Sequence, residues 1–389
     1  MLAVLATTVV HPAGRGASEL WSACAEGRSA LTRGAVPWCD LPCWLGAVAA
    51  AGDDDLAQTL GPWDCRNHRL AWLALDDPSF RAAVSAQVAR HGPDRVGLVV
   101  GTSTSGIRST EVAYAARRDK GRWPDGFDYR RHHSIDAVVR FAAQQLQLEG
   151  PMTTVSTACS SSAKVFLTAQ RWIELGLIDA AVVGGVDSLC LSTLHGFDAL
   201  QLLSGDVCRP FDERRTGISI GEAGGFALLG RGPSAVVFAG GGESSDAWHM
   251  STPHPEGAGA QAAMRMALDA AGLQPGDIGY LNAHGTATPA NDRSESAAIR
   301  AVFGAQGVAV SSTKGITGHT LAAAGIVEAI VSIEALQHQF LPPSANCEKH
   351  DPQLDIDLVT RGRPAALRHV MSNSFGFGGS NCSLIFSKA

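Results

Sequence analysis

The chain lacks any uninterrupted apolar run of transmembrane length, and no basic segment precedes an apolar core at its N-terminus. Neither membrane insertion nor a signal peptide is therefore expected. It also lacks an even, regular set of cysteines. Nine stand at irregular positions, which argues against a disulfide framework and for a reducing, cytoplasmic setting. Cys39 and Cys43 are close in sequence, but no second ligand pair accompanies them, so no metal site is expected there. An excess of basic residues is missing too. A net charge of −6 disfavours nucleic acid as a partner, although it leaves an acidic protein partner open because docking depends on local charge. No short-period repeat and no low-complexity tract occurs.

What is present is a chain of 389 residues, 45% hydrophobic and with 43 glycines, long enough to bury a large core and to fold as two similar halves. Largely apolar runs at Arg95 to Gly101, Ile178 to Gly185, Phe226 to Leu229 and Ala235 to Gly240 read as strands covered on both faces. His369 to Asn373 and Ser383 to Phe386 close the chain in the same way. Gly230-Arg231-Gly232-Pro233 reads as a joint, giving halves 1–232 and 233–389, with 110–148 as an insertion in the first.

Cys159 carries the most information. Met152 to Val155 reads as a strand, Ala163 to Glu174 as a helix stopped by Gly176, and the thiol sits in the turn between them. The partial positive charge of the helix N-terminus predicts a stabilised thiolate. A lone cysteine is more often a core thiol, so the turn alone leaves nucleophile and packing about even. Two further segments favour chemistry. Asn282-Ala283-His284-Gly285-Thr286-Ala287-Thr288-Pro289 follows the strand Ile278 to Leu281. Ser312-Thr313-Lys314-Gly315-Ile316-Thr317-Gly318-His319-Thr320 follows the strand Gly307 to Val310 and precedes the helix Leu321 to Gln337. Reacting groups gather at such strand ends in α/β sheets. A thiol with two histidines lacking zinc-ligand spacing suggests acyl transfer through a thioester.

These segments, with the A-A-A-G-I-V-E-A helix ending near Ala329 and Asn373-Ser374-Phe375-Gly376-Phe377-Gly378-Gly379-Ser380-Asn381, resemble the β-ketoacyl-acyl carrier protein synthases of types I and II. The resemblance runs from about residue 150 to the end. It implies the thiolase fold, an α/β architecture with two mixed five-stranded sheets in five layers, αβαβα. It also implies a homodimer or a heterodimer with a related subunit, formed near the elbow strand. The implied substrates ride on the phosphopantetheine of an acyl carrier protein, and no separate cofactor is expected.

Under that resemblance Cys159 takes the acyl group, and malonyl-carrier protein then loses carbon dioxide and attacks it. His284 and His319 stabilise the developing oxyanion, while the backbone N–H groups of Cys159 and Phe377 form a second oxyanion hole. Phe377 also acts as a gate. Lys314 is a buried cation orienting the site, with Glu328 as its supporting partner. Thr286, Thr288, Ser251 and Thr252 contact the pantetheine arm. Arg66, Arg69, Arg117, Arg118, Arg130 and Arg131 would form a basic landing patch for the carrier.

Three departures from the family pattern stand out: Ala6-Thr7-Thr8-Val9-Val10-His11-Pro12 at the start, Thr102-Ser103-Thr104-Ser105-Gly106, and Arg215-Thr216-Gly217 in place of Arg-Asp-Gly. They point away from housekeeping fatty acid synthesis toward a specialised polyketide or aryl polyene pathway. A thiolase would carry a C-terminal Cys-x-Gly, which Asn381-Cys382-Ser383 does not match. A non-catalytic chain-length subunit is the remaining alternative, and it would normally lack the nucleophile.

Overall fold

A computed structural model describes all residues, 1–389. The first half contributes β1 (Leu2–His11), β2 (Val96–Gly101), β3 (Met152–Val155), β4 (Ala180–Asp187) and β5 (Ala223–Gly230). They lie in the order β3-β2-β4-β5-β1, with β3, β2 and β4 parallel and β5 antiparallel to both its neighbours. The second half contributes β6 (Val236–Ser245), β7 (Tyr280–Asn282), β8 (Ala309–Ser311), β9 (His369–Gly376) and β10 (Ser380–Lys388). Their order, β8-β7-β9-β10-β6, repeats the first, with the same parallel and antiparallel pairs. The two sheets touch edge to edge through Leu2 opposite Phe238 and Ala3 opposite Val237.

Every residue of β2 and β4 is buried, as expected for strands sandwiched between helices. On the outer face of the first sheet lie the helices Arg66–Leu75 and Ala137–Leu146, packed around Leu70, Phe141 and Phe226. The helices Ala258–Ala271 and Pro289–Phe303 cover the second sheet around Met264, Leu268 and Ile299. Between the sheets run two central helices, Ser161–Glu174 and Ala324–His338. This is the expected five-layer arrangement. The segment Leu321–His338 is long and apolar enough to cross a membrane, but it is the buried centre of the molecule.

The departure at the chain start, Ala6 to Pro12, falls largely within the ten-residue strand β1, whose pairing with β5 shifts register between Val4 and Ala6. One expectation needs correction. The segment 110–148 is not uniformly an insertion. Its first part is an exposed helix, Ile107–Lys120, whereas Ala137–Leu146 belongs to the outer layer and buries Phe141 completely.

The central helices approach so closely that a Cβ on Gly325 would lie 2.5 Å from the Ala163 nitrogen. Gly325→Ala should therefore destabilise the fold by about 1–3 kcal/mol despite the better helix propensity of alanine, read from denaturant unfolding.

Candidate active site

The nucleophile turn begins where β3 ends. Ala158 adopts φ 53°, the left-handed region that L-residues rarely occupy. The Ser161 hydroxyl accepts from Thr157 N–H at 2.9 Å, and the Ser160 hydroxyl donates to the Thr157 carbonyl at 2.9 Å. These bonds hold Cys159 at the entrance of the central helix, only 6% exposed.

His319 Nε2 lies 2.9 Å from Cys159 Sγ, and the Phe377 N–H is directed at the same sulfur. Burial opposes the expected thiolate. Burial pushes the thiol up to about 12, and the opposing pull of Lys314 and the Phe377 N–H is smaller. A helix terminus contributes about 0.3–1 kcal/mol, less than the cost of charging a fully buried sulfur. Burial thus favours the neutral thiol at Cys159 and the neutral ring at His319.

His284 stands against His319 with ring centroids 5.2 Å apart and planes at 87°. Burial, and then the Lys314 charge, hold both rings well below the usual histidine range. Lys314 Nζ lies 3.3 Å from His284 Nδ1 and also contacts the His284 carbonyl and Glu328. An ammonium can only donate, so Nδ1 accepts and the ring proton resides on Nε2. Lys314 is 1% exposed and Glu328 2%, a fully buried ion pair. Burial still raises Glu328 to about 7, against the pull of Lys314.

Cys159 Sγ and the two imidazoles come within 4.8 Å of one another, a set of donors a transition metal could also bind. The three loops singled out in the sequence thus meet in one place, although their spacing is not that of a zinc site. They open into a cavity of about 160 Å³. Its lining includes the apolar Phe197, Leu200, Leu202 and Ile218, the hydroxyl-bearing Thr286, Thr288, Ser251 and Thr252, and the exposed His249. Phe377 also lines the cavity, its ring 5.5 Å from that of Phe197. Gly378 and Gly379, at φ 80° and 74°, allow the turn that carries it.

The basic patch does not form as expected. Arg66 donates to the fully buried Glu222 at 2.8 Å, and Arg69 is bound to Asp64 at 2.6 Å. Both brace the fold. Arg117, Arg118, Arg130 and Arg131 are exposed, with Arg117 stacked 4.6 Å over Trp123.

Two buried carboxylates escaped the sequence reading. Glu295 accepts from the N–H groups of His284 and Gly285 at 2.9 and 2.7 Å, fixing the histidine loop. Its signal was an acid on the buried stripe of the Pro289–Phe303 helix. Asp187 accepts from Thr102 Oγ1 and Thr104 Oγ1, from Ser103 N–H and Thr104 N–H, and from Ala322 N–H across the half boundary. The hydroxyl-rich departure at 102–105 thus serves a carboxylate that ties the first half to the turn following His319. At the third departure, Thr216 Oγ1 lies 2.6 Å from the Ser204 hydroxyl, while Arg215 pairs with Asp351 at 2.7 Å.

Family models describe residues 62–235 as a β-ketoacyl synthase N-terminal domain and residues 235–348 as the C-terminal domain. Nodulation protein E of Rhizobium sp. (strain N33) is 32% identical, covering 96% of this chain and 95% of its own length. The 3-oxoacyl-[acyl-carrier-protein] synthase 2 of Vibrio harveyi is 31% identical, covering 98% of this chain and 96% of its own. Among solved structures, that of the ketosynthase ApeO in complex with its chain length factor ApeC, from Xenorhabdus doucetiae, matches at 40% identity and TM-score 0.90. It covers 100% of this chain and 98% of that chain. The ishigamide ketosynthase/chain length factor matches at 27% identity and TM-score 0.91, covering 100% and 99%. By motif, fold and full-length similarity, the chain belongs to the β-ketoacyl synthase family of condensing acyltransferases.

Proposed function

We propose that the protein extends an acyl chain by two carbons on an acyl carrier protein, with Cys159 as nucleophile and His284 and His319 as the decarboxylation site. The observation that carries this reading is the single buried chamber shared by one sulfur and two neutral imidazoles from opposite halves. His319 Nε2 takes the thiol proton as Sγ attacks the acyl thioester, and returns it to the departing pantetheine thiol. The N–H groups of Cys159 and Phe377 receive the tetrahedral oxyanion.

Once Sγ carries the acyl group, the Nε2–H of His284 is available to the malonyl thioester oxygen, and His319 joins it in the tautomer protonated at Nε2. Carbon dioxide leaves, the enolate carbon attacks the acyl carbonyl, and Sγ departs as a thiolate that takes up one proton from solvent to restore the thiol. The sequence balances without a cofactor. Each donor contributes about 2.7–4 kcal/mol, the worth of an oxyanion-hole hydrogen bond. Lys314 acts through His284, holding the tautomer that presents Nε2–H. Phe377 gates the sulfur, and Thr286, Thr288, Ser251 and Thr252 guide the pantetheine arm.

The 40% identity to a ketosynthase–chain length factor structure, against 31% to a 3-oxoacyl-carrier protein synthase, favours a polyketide-type pathway and a related partner subunit. The intact Cys-His-His set speaks against this chain being the chain length factor itself. Nine free cysteines support a reducing, cytoplasmic site of action. The domain division we favour is 1–232 and 233–389, because each part supplies one complete sheet.

Cys159→Ala should show no acyl adduct by intact mass after incubation with acyl-carrier protein. His284→Ala should load nearly normally while condensation falls by about 10²–10³-fold. Loading of Cys159→Ala at the wild-type rate would falsify the nucleophile assignment. Decarboxylation by Cys159→Gln should stay level as pH drops through 6.5, because rings held well below that value remain neutral there. A rate that halves at 6.5 in a pH profile with malonyl-carrier protein would contradict neutral donors.

A further inference from the structure

The apolar wall of the chamber rests on a poorly built element. The helix Leu191–Ala199 carries Phe197 and is followed directly by Leu200 and Leu202, three of the apolar residues lining the cavity. Only Leu194 of this helix is buried, and Gly196 lies in its interior, where glycine costs about 0.8–1.0 kcal/mol relative to alanine. Its N-cap residue is Cys190, which makes no side-chain cap bond and whose sulfur lies 3.2 Å from Thr193 Oγ1. Sulfur is a weak acceptor, so the first-turn N–H groups need another partner.

That partner comes from a different helix. Glu111, on Ile107–Lys120, accepts from Leu191 N–H at 3.1 Å, and from Ser192 N–H and Oγ at 2.6 and 2.7 Å. The carboxylate satisfies two of the orphan donors and places negative charge at the positive helix end. It is itself held by Arg108 at 3.3 Å, whose guanidinium stacks 4.3 Å over Trp38. At the far end, Phe197 packs 5.5 Å from Phe377 beside the nucleophile.

We propose that Glu111 is a positioning residue for acyl-chain selection: by capping the Leu191–Ala199 helix in trans, it holds Phe197 and Leu200 as the wall against which a longer acyl chain packs. This rests on the reading that Cys159 is acylated. Glu111 touches no reacting atom, and the histidines that support decarboxylation lie on the other half of the molecule. Its loss is therefore felt by the acyl chain and not by malonyl decarboxylation.

The test compares loading from octanoyl- and acetyl-carrier protein by intact mass, alongside malonyl-carrier protein decarboxylation. In Glu111→Ala, octanoyl loading should fall about tenfold, while acetyl loading and decarboxylation change by less than about twofold. Adding Cys190→Ser supplies an oxygen cap in cis and should return octanoyl loading to within about threefold of wild type. A general structural defect would lower all three readouts together and would not respond to Cys190→Ser, which would overturn the proposal. So would an unchanged ratio of octanoyl to acetyl loading. If Glu111→Ala is insoluble, Glu111→Gln carries a milder form of the same test, because its amide nitrogen cannot accept and the bonds of one carboxylate oxygen, to Leu191 or to Ser192, are lost. A wild-type protein that takes neither acyl group removes the Cys159 reading and this one with it. Normal wild-type loading with an unaltered Glu111→Ala ratio removes only the role of Glu111.

Discussion

The close crossing of the two central helices is the constraint on which the site depends. Gly325 faces the backbone of Ala163, and the Ser162 hydroxyl accepts from Ile326 N–H at 2.9 Å. Gly101 and Gly185 clear the same space from the sheet side, since a Cβ on either would strike Ser162. Only small residues permit this approach, which accounts for the Ser-Ser-Ser-Ala run on one helix and Ala-Ala-Ala-Gly on the other. Its effect is to bring two helix N-termini to one place. Cys159 precedes the first and His319 the second, so the duplication of the fold becomes a sulfur and an imidazole in hydrogen-bond contact.

Burial then decides the charge state of everything in the chamber. The thiol is pushed up and both imidazoles are pushed down, which leaves a neutral reacting set. Such groups can pass a proton between sulfur and ring without creating a long-lived ion pair. Lys314 is the exception, a buried cation whose desolvation is offset by Glu328 and by the His284 carbonyl. What it contributes is orientation: an ammonium on Nδ1 leaves one tautomer for His284. Glu295 and Asp187 do the same for backbone, fixing the loop before His284 and the turn after His319.

The sequence was most legible where one physical rule acted alone. Strands buried on both faces, such as β2 and β4, were evident from their apolar runs, and β3 was bounded correctly by the small residues that follow it. The five-layer fold came from the family resemblance, because layer order depends on long-range pairing that no local pattern encodes. Failures came where two effects competed. A helix terminus favours a thiolate at Cys159, but full burial opposes it and wins. Arg66 and Arg69 have the composition of a docking patch, but the buried Glu222 and the neighbouring Asp64 capture them. Asp187 was hidden by being one acid among many until its five donors converge in space.

The parts of the chamber also differ in how firmly they are built. Cys159 and His319 stand just before the two central helices, and His284 stands on a loop closed by the buried Glu295. The apolar wall stands on a nine-residue helix with one buried side chain and a cap borrowed from an exposed neighbour. Chemistry common to every substrate demands fixed geometry at the sulfur and the rings. Selection among acyl chains needs only a wall whose position can be set, and a marginal helix with an external cap can be shifted by changes far from the sulfur. Under the proposed role of Glu111, a change in the Ile107–Lys120 segment acts on that wall and leaves the sulfur and the rings in place.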